Sequence, residues 1–148
     1  MHSVTNGRLP LHNRPLAVPE NGNCLFNALS MCVAGSLSLS SELRFRVALE
    51  LIEYDDHYKN EHNRLGLVGV VSCELFEALR QVLVDGEWCS SWALYAAATV
   101  IEWKIISVYS PVNGVTDRAY HLLNKTIEPR TFLQLTFDDV AIMWSRCQ

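Results

Sequence analysis

The hydrophobic period of this chain changes once, and that change constrains the fold more than any other feature. Up to Ile101 apolar residues recur at helical spacing; from Lys104 onward they gather in short β-branched runs. The first helix is expected to open at Cys24, with Leu25, Phe26, Ala28, Leu29, Cys32 and Val33, and to stop at Gly35. After the serine-rich linker 36–41, Ser40 is placed to cap a second helix. Its stripe is Leu43, Val47, Ala48, Leu51 and Ile52, with Arg44, Arg46, Glu50 and Glu53 on a solvated, ion-paired face. Asp55 to Arg64 reads as a polar stretch after that helix. Ser72 is expected to cap a third helix with the stripe Leu75, Phe76, Leu79, Val82 and Leu83, broken at Asp85-Gly86. A fourth starts at Ser90 or Ser91 and runs through Ile101. Lys104 to Tyr109 then reads as a strand ended by Ser110-Pro111, and Asn113-Gly114 as a turn. Ala119–Leu123, Phe132–Phe137 and Val140–Trp144 are further strand candidates. Helices first and strands last predict an α+β fold, with helices packed on a small, mostly C-terminal sheet. Residues 1–15, punctuated by Pro10 and Pro15, read as an extended lead-in.

Composition narrows the function. The chain has 148 residues, 49% hydrophobic and 19% charged, enough for one domain with its own core. A net charge of -4 and a pI near 5.7 argue against a nucleic-acid surface. No stretch reaches the ~20 apolar residues that cross a bilayer, and Met1 to Pro15 lacks the apolar segment of a signal peptide. The expected location is cytoplasmic or nuclear. Five cysteines at wide spacings, with no CxxC pair, read as free thiols rather than as disulfides or a metal site. His57 and His62 are five residues apart, a poor metal pair in a stretch expected to be solvated. No cofactor and no metal is expected.

The segment that carries chemistry is Asn21-Gly22-Asn23-Cys24-Leu25-Phe26. A tight turn delivers a cysteine to the first turn of an apolar helix. Unpaired N–H groups there carry partial positive charge, favour thiolate, and can receive an oxyanion. Gly22 permits the turn and the close approach of a substrate chain. Local physics supports a buried, inert cysteine at an ordinary helix start equally well.

This segment resembles the signature of the OTU (ovarian tumour) family of cysteine peptidases, Asp-Gly-Asn-Cys-Leu followed by an aromatic residue. The Trp-rich entry Glu87-Trp88-Cys89-Ser90-Ser91-Trp92-Ala93-Leu94, leading through a helix to Ile105–Tyr109, is similar to the family's second element. Ser41-Glu42-Leu43-Arg44, Trp92–Ala96, Ile127-Glu128-Pro129-Arg130 and Ile142-Met143-Trp144 resemble the vertnin-like branch. The resemblance implies an OTU-like domain over 16–148. Cys24 is then the nucleophile, and Asn21, Gly22 and Asn23 form the turn and oxyanion hole. Asn21 stands where the family has aspartate. The implied partner is ubiquitin or a ubiquitin-like protein, and the implied activity is that of a cysteine-type deubiquitinase.

The family's late-strand histidine has no evident counterpart. His2 and His12 fall in the lead-in, and His121, on an expected strand, is the one candidate substitute base. Two explanations stand. The domain is C-terminally incomplete and its histidine lies beyond Gln148, which is the expectation here. Alternatively, Phe137–Ile142 is the histidine strand with the histidine lost, and Asp138 and Asp139 beside it are solvated carboxylates. The second leaves a non-catalytic binding module of a larger regulatory or transposon-derived protein.

Overall fold

The computed structural model describes residues 16–130 and 140–144. Its elements are α1 (Cys24–Ala34), α2 (Ser40–Glu53), α3 (Asp55–Leu65), α4 (Leu75–Leu83), α5 (Ser91–Ile101), β1 (Ile105–Tyr109), α6 (Arg118–Leu123), β2 (Lys125–Ile127) and β3 (Val140–Trp144). Five helices precede the first strand, so the α+β reading holds. The lead-in 1–15 and the strand expected at 132–137 lie outside the described residues.

β1 is the middle strand of the sheet order β2-β1-β3. It pairs antiparallel with β2, Ile105 opposite Ile127, and parallel with β3, Ile105 opposite Val140. The core lies where α5 meets α2. Trp92, Ala93, Leu94, Ala96, Ala97 and Ala98 of α5 are buried, and so are Val47, Ala48 and Leu51 of α2. Four alanines on α5 keep its surface low, which lets neighbouring helices approach closely.

Several elements depart from expectation for identifiable reasons. The polar stretch after α2 is helical. Asp55 and Asp56 sit at the positive end of α3 and His62 and Arg64 at its negative end; Gly66 closes it in the left-handed conformation at φ 65°. Lys59 pairs with Asp55 at 2.6 Å and Arg64 with Glu61 at 2.8 Å along its surface. Ala119–Leu123 is part of a short helix, not a strand. The Asp117 carboxylate accepts the Tyr120 N–H at 2.8 Å, a local cap that outweighs weak strand preference. β2, three residues long, follows it. Ser72 and Ser40 do not cap their helices; α4 starts from Glu74, and the Ser40 hydroxyl donates to Asn27 Oδ1 at 2.8 Å. On α4 the buried face is Leu75, Ala78 and Val82, which leaves Phe76 83% exposed.

Candidate active site around Cys24

Cys24 is the first residue of α1 and is partly exposed. The turn before it is built by side chains. Asn21 Oδ1 accepts the Asn23 backbone N–H at 3.3 Å and the Asn27 amide at 3.4 Å. That acceptor role is one a carboxylate would also fill, so the change from the family's aspartate keeps the turn while dropping its charge. Gly22 has φ 74°. A Cβ there would stand 1.8 Å from the Gly86 carbonyl oxygen, so the position takes no side chain while the loop at Gly86 stays in place.

Asn23 occupies the N-cap position, where an amide side chain ordinarily accepts an N–H of the helix's first turn. Here it makes no such bond. Its Oδ1 accepts from Arg44 at 2.8 Å and from the Gly86 N–H at 3.1 Å, and its Nδ2 donates to Asp85 at 3.0 Å. The cap is thus diverted away from α1. Asn23 therefore gives the first-turn amides of α1 no side-chain acceptor, and amides at a helix start are groups from which a thiolate or an oxyanion can accept. The side chain of Asn23 serves the turn and does not cap α1.

Arg44 fixes the arrangement and corrects the solvated-face reading. It is 7% exposed. One terminal nitrogen donates to the carbonyls of Gln81 (2.8 Å), Val82 (2.9 Å) and Val84 (2.8 Å), at the C-terminal end of α4. The other donates to Asn23 Oδ1 (2.8 Å), to the Gly22 carbonyl (3.3 Å) and to the Glu87 carbonyl (2.9 Å). A rigid, permanently charged fork suits this task, because six acceptors on three segments converge on one guanidinium. The helix end supplies partial negative charge to the cation. The same guanidinium lies 4.6 Å from the Phe26 ring centre. Its position was legible as spacing: residues 44, 47, 48 and 51 fall on one helical face, the buried one. Arg46 does sit on the exposed face, 2.6 Å from Glu42. Glu50 does not; it pairs with Arg130 at 2.8 Å, both mostly buried.

Cys89 belongs to the same neighbourhood. Burial pushes its thiol up to about 11, against the opposing charge of Arg44, so it stays protonated and inert at neutral pH. Neither of two recesses, of about 280 and 250 Å³, is lined by Cys24.

The histidines fall differently from expectation. His121 lies on α6 rather than on a strand; it is exposed, and its ring meets Tyr120 edge-on at 5.4 Å. His57 is exposed, as expected. His62 is fully buried, stacked on Trp92 with ring centres 3.6 Å apart. Burial lowers its pKa to about 4, and its Nδ1 lies 3.0 Å from the Tyr58 carbonyl oxygen. It is a neutral core residue. Among the described residues, no group of three or more His, Cys, Asp or Glu side chains could hold a metal ion. No helix among them is long and apolar enough to cross a membrane.

Comparison with known proteins agrees with this geometry. The family described as "Vertnin, OTU domain" matches residues 15–74 and 70–145. Vertnin of Danio rerio is 30% identical over 97% of the chain, and vertnin of Homo sapiens 29% identical over 92%. The chain spans only 24% and 22% of those two proteins. The crystal structure of the viral OTU domain protease from Dera Ghazi Khan virus superposes with a TM-score of 0.56 at 14% identity. That superposition covers 86% of this chain and 72% of the viral one, and shows the shared fold. By the extent of the family match and the structural likeness together, the chain belongs to the vertnin branch of the OTU domain family.

Proposed function

We propose that this chain is the catalytic segment of a cysteine-type isopeptidase that cleaves ubiquitin or ubiquitin-like conjugates, with Cys24 as nucleophile. The observation that carries this reading is the diverted cap: Asn23 bonds to Arg44, Gly86 and Asp85 instead of to the amides of α1. A first turn without a side-chain cap beside a partly exposed thiol is costly as architecture and useful as an oxyanion site. In the reaction the Cys24 thiolate attacks the isopeptide carbonyl carbon and the oxyanion rests on backbone N–H groups. The lysine amine then leaves with a proton from an imidazole. Water hydrolyses the thioester, releasing the ubiquitin carboxylate and regenerating the thiol. His121 is an exposed imidazole that this reading calls on as the substitute base. The reading places the activity in the cytoplasm or nucleus, where thiols stay reduced.

A ubiquitin carrying a C-terminal vinyl electrophile tests it. The expected result is a covalent adduct on Cys24, absent in Cys24→Ser and slowed in His121→Ala if that imidazole takes part. No adduct on Cys24 in a folded chain overturns the reading. A second reading, a non-catalytic OTU module that binds a partner, is favoured by one observation: β1, β2 and β3 carry no histidine. It expects ubiquitin or partner binding unchanged by Cys24→Ala and no labelling.

A further inference from the structure

A second polar region lies away from the Cys24 turn, where β2 runs beside α3 and α5. A recess of about 280 Å³ opens there, and its lining includes Arg64, Tyr95, Lys125 and Glu128. The chain has three lysines. Lys59 has Asp55 at 2.6 Å and Lys104 has Glu128 at 3.3 Å. Lys125 has no carboxylate partner among the described residues; its ammonium lies 5.4 Å from the centre of the Tyr95 ring. Among the described residues the buried Tyr95 hydroxyl has no hydrogen-bond partner. Burial pushes that phenol upward, so it remains a donor. Burial, and then the charge of Arg64, push the Lys125 ammonium down, against the weaker opposing charge of Glu61. The carboxylates nearby are already engaged: Glu61 by Arg64 at 2.8 Å and Glu128 by Lys104. Arg64 gives Nε and one terminal nitrogen to Glu61, which leaves it further donors.

A half-buried ammonium with no ion pair among the described residues and a buried hydroxyl with no hydrogen-bond partner among them share one remedy, which is an incoming acceptor with negative charge. We propose that this recess binds a small oxyanion group, carboxylate or phosphate, held by the Lys125 ammonium and the Tyr95 hydroxyl with Arg64 at the rim. The site is independent of Cys24 chemistry. Bound anion would supply the missing acceptor to Tyr95 and raise the Lys125 pKa toward its ordinary value.

Three lysines make the test clean. The full chain, labelled with 13Cε-lysine, gives three side-chain signals, and it is titrated at constant ionic strength with inorganic phosphate or with acetate. Saturable movement of the Lys125 signal alone is the expected result. Saturation by phosphate only identifies a phosphate-type ligand, and saturation by acetate identifies a carboxylate. Lys125→Met is expected to weaken binding about tenfold or more and Tyr95→Phe about threefold, since a charged donor contributes more than a neutral one. Thermal melts check that both variants fold. If the three signals move together without saturating, or if folded Lys125→Met and Tyr95→Phe both bind as the parent does, the proposal is overturned.

Discussion

At the Cys24 turn the polar side chains that shape the backbone, Asn21, Asn23 and Arg44, are each engaged more than once. Arg44 alone meets six acceptors, and Asn23 bonds through both ends of its amide. Around β2 the opposite holds: among the described residues the Tyr95 hydroxyl and His62 Nε2 are buried without hydrogen-bond partners, and the Lys125 ammonium lies by an aromatic ring with no ion pair. The two regions have similar chemical ingredients and opposite degrees of satisfaction. Side chains bonded on several sides hold a backbone shape. Incomplete satisfaction leaves capacity for a ligand or carries an electrostatic cost. The first region is therefore expected to fail through structure when altered, and the second through its response to protons and anions.

The largest effect is expected from Arg44→Met. It strips a donor from carbonyls of Gly22, Gln81, Val82, Val84 and Glu87 together, and a loss of about 3–5 kcal/mol in denaturant unfolding follows. Arg44→Lys recovers only part of this, because a single ammonium cannot reach both sides of the fork. Gly22→Ala comes next, at about 2–4 kcal/mol. The added carbon meets the Gly86 carbonyl, and the left-handed backbone is strained for alanine. Slower alkylation of Cys24 should accompany it. A Gly22→Ala variant with unchanged stability would break the claim that the turn is rigidly shaped.

On the other side, His62 should make stability depend on pH. Its folded pKa, about 4, lies below the ordinary 6.5, so the unfolded chain binds the proton more readily. Its contribution is complete above about pH 6.5 and is lost progressively as pH falls toward about 4, by up to about 3 kcal/mol. Urea unfolding of the parent and of His62→Phe across that range should diverge in this direction; parallel curves would contradict the burial. Arg46→Ala, in an exposed pair with Glu42, should change stability by about 0.5 kcal/mol or less. Two arginines on one helix thus serve as internal contrast.

The features legible in the sequence are those decided locally. α1 with Cys24 at its start and Gly35 at its end, α5 from Ser91, and β1 follow from spacing, turn residues and β-branched runs. The features that escaped depend on partners distant in sequence. Arg44 finds its acceptors 21 to 43 residues away. Its charge suggested solvent, although its spacing from Val47 and Leu51 put it on the buried face. His62 looked solvated among Lys59, Glu61 and Arg64, and only the stack on Trp92, thirty positions along, reverses that. Residues 119–123 were misread because the Asp117 cap lies just before them and their own composition favours neither state strongly.

The account stands on Cys24 being an activated thiol at a helix start without a side-chain cap, and Cys32 on the same helix, whose thiol burial pushes up, is its comparison. The deciding measurement is the iodoacetamide alkylation rate of each by mass spectrometry, from pH 6 to pH 9. Cys24 should react about tenfold faster than Cys32 at the acid end and converge with it as pH rises. Equal rates at pH 6, or a slower Cys24 throughout, would contradict the account.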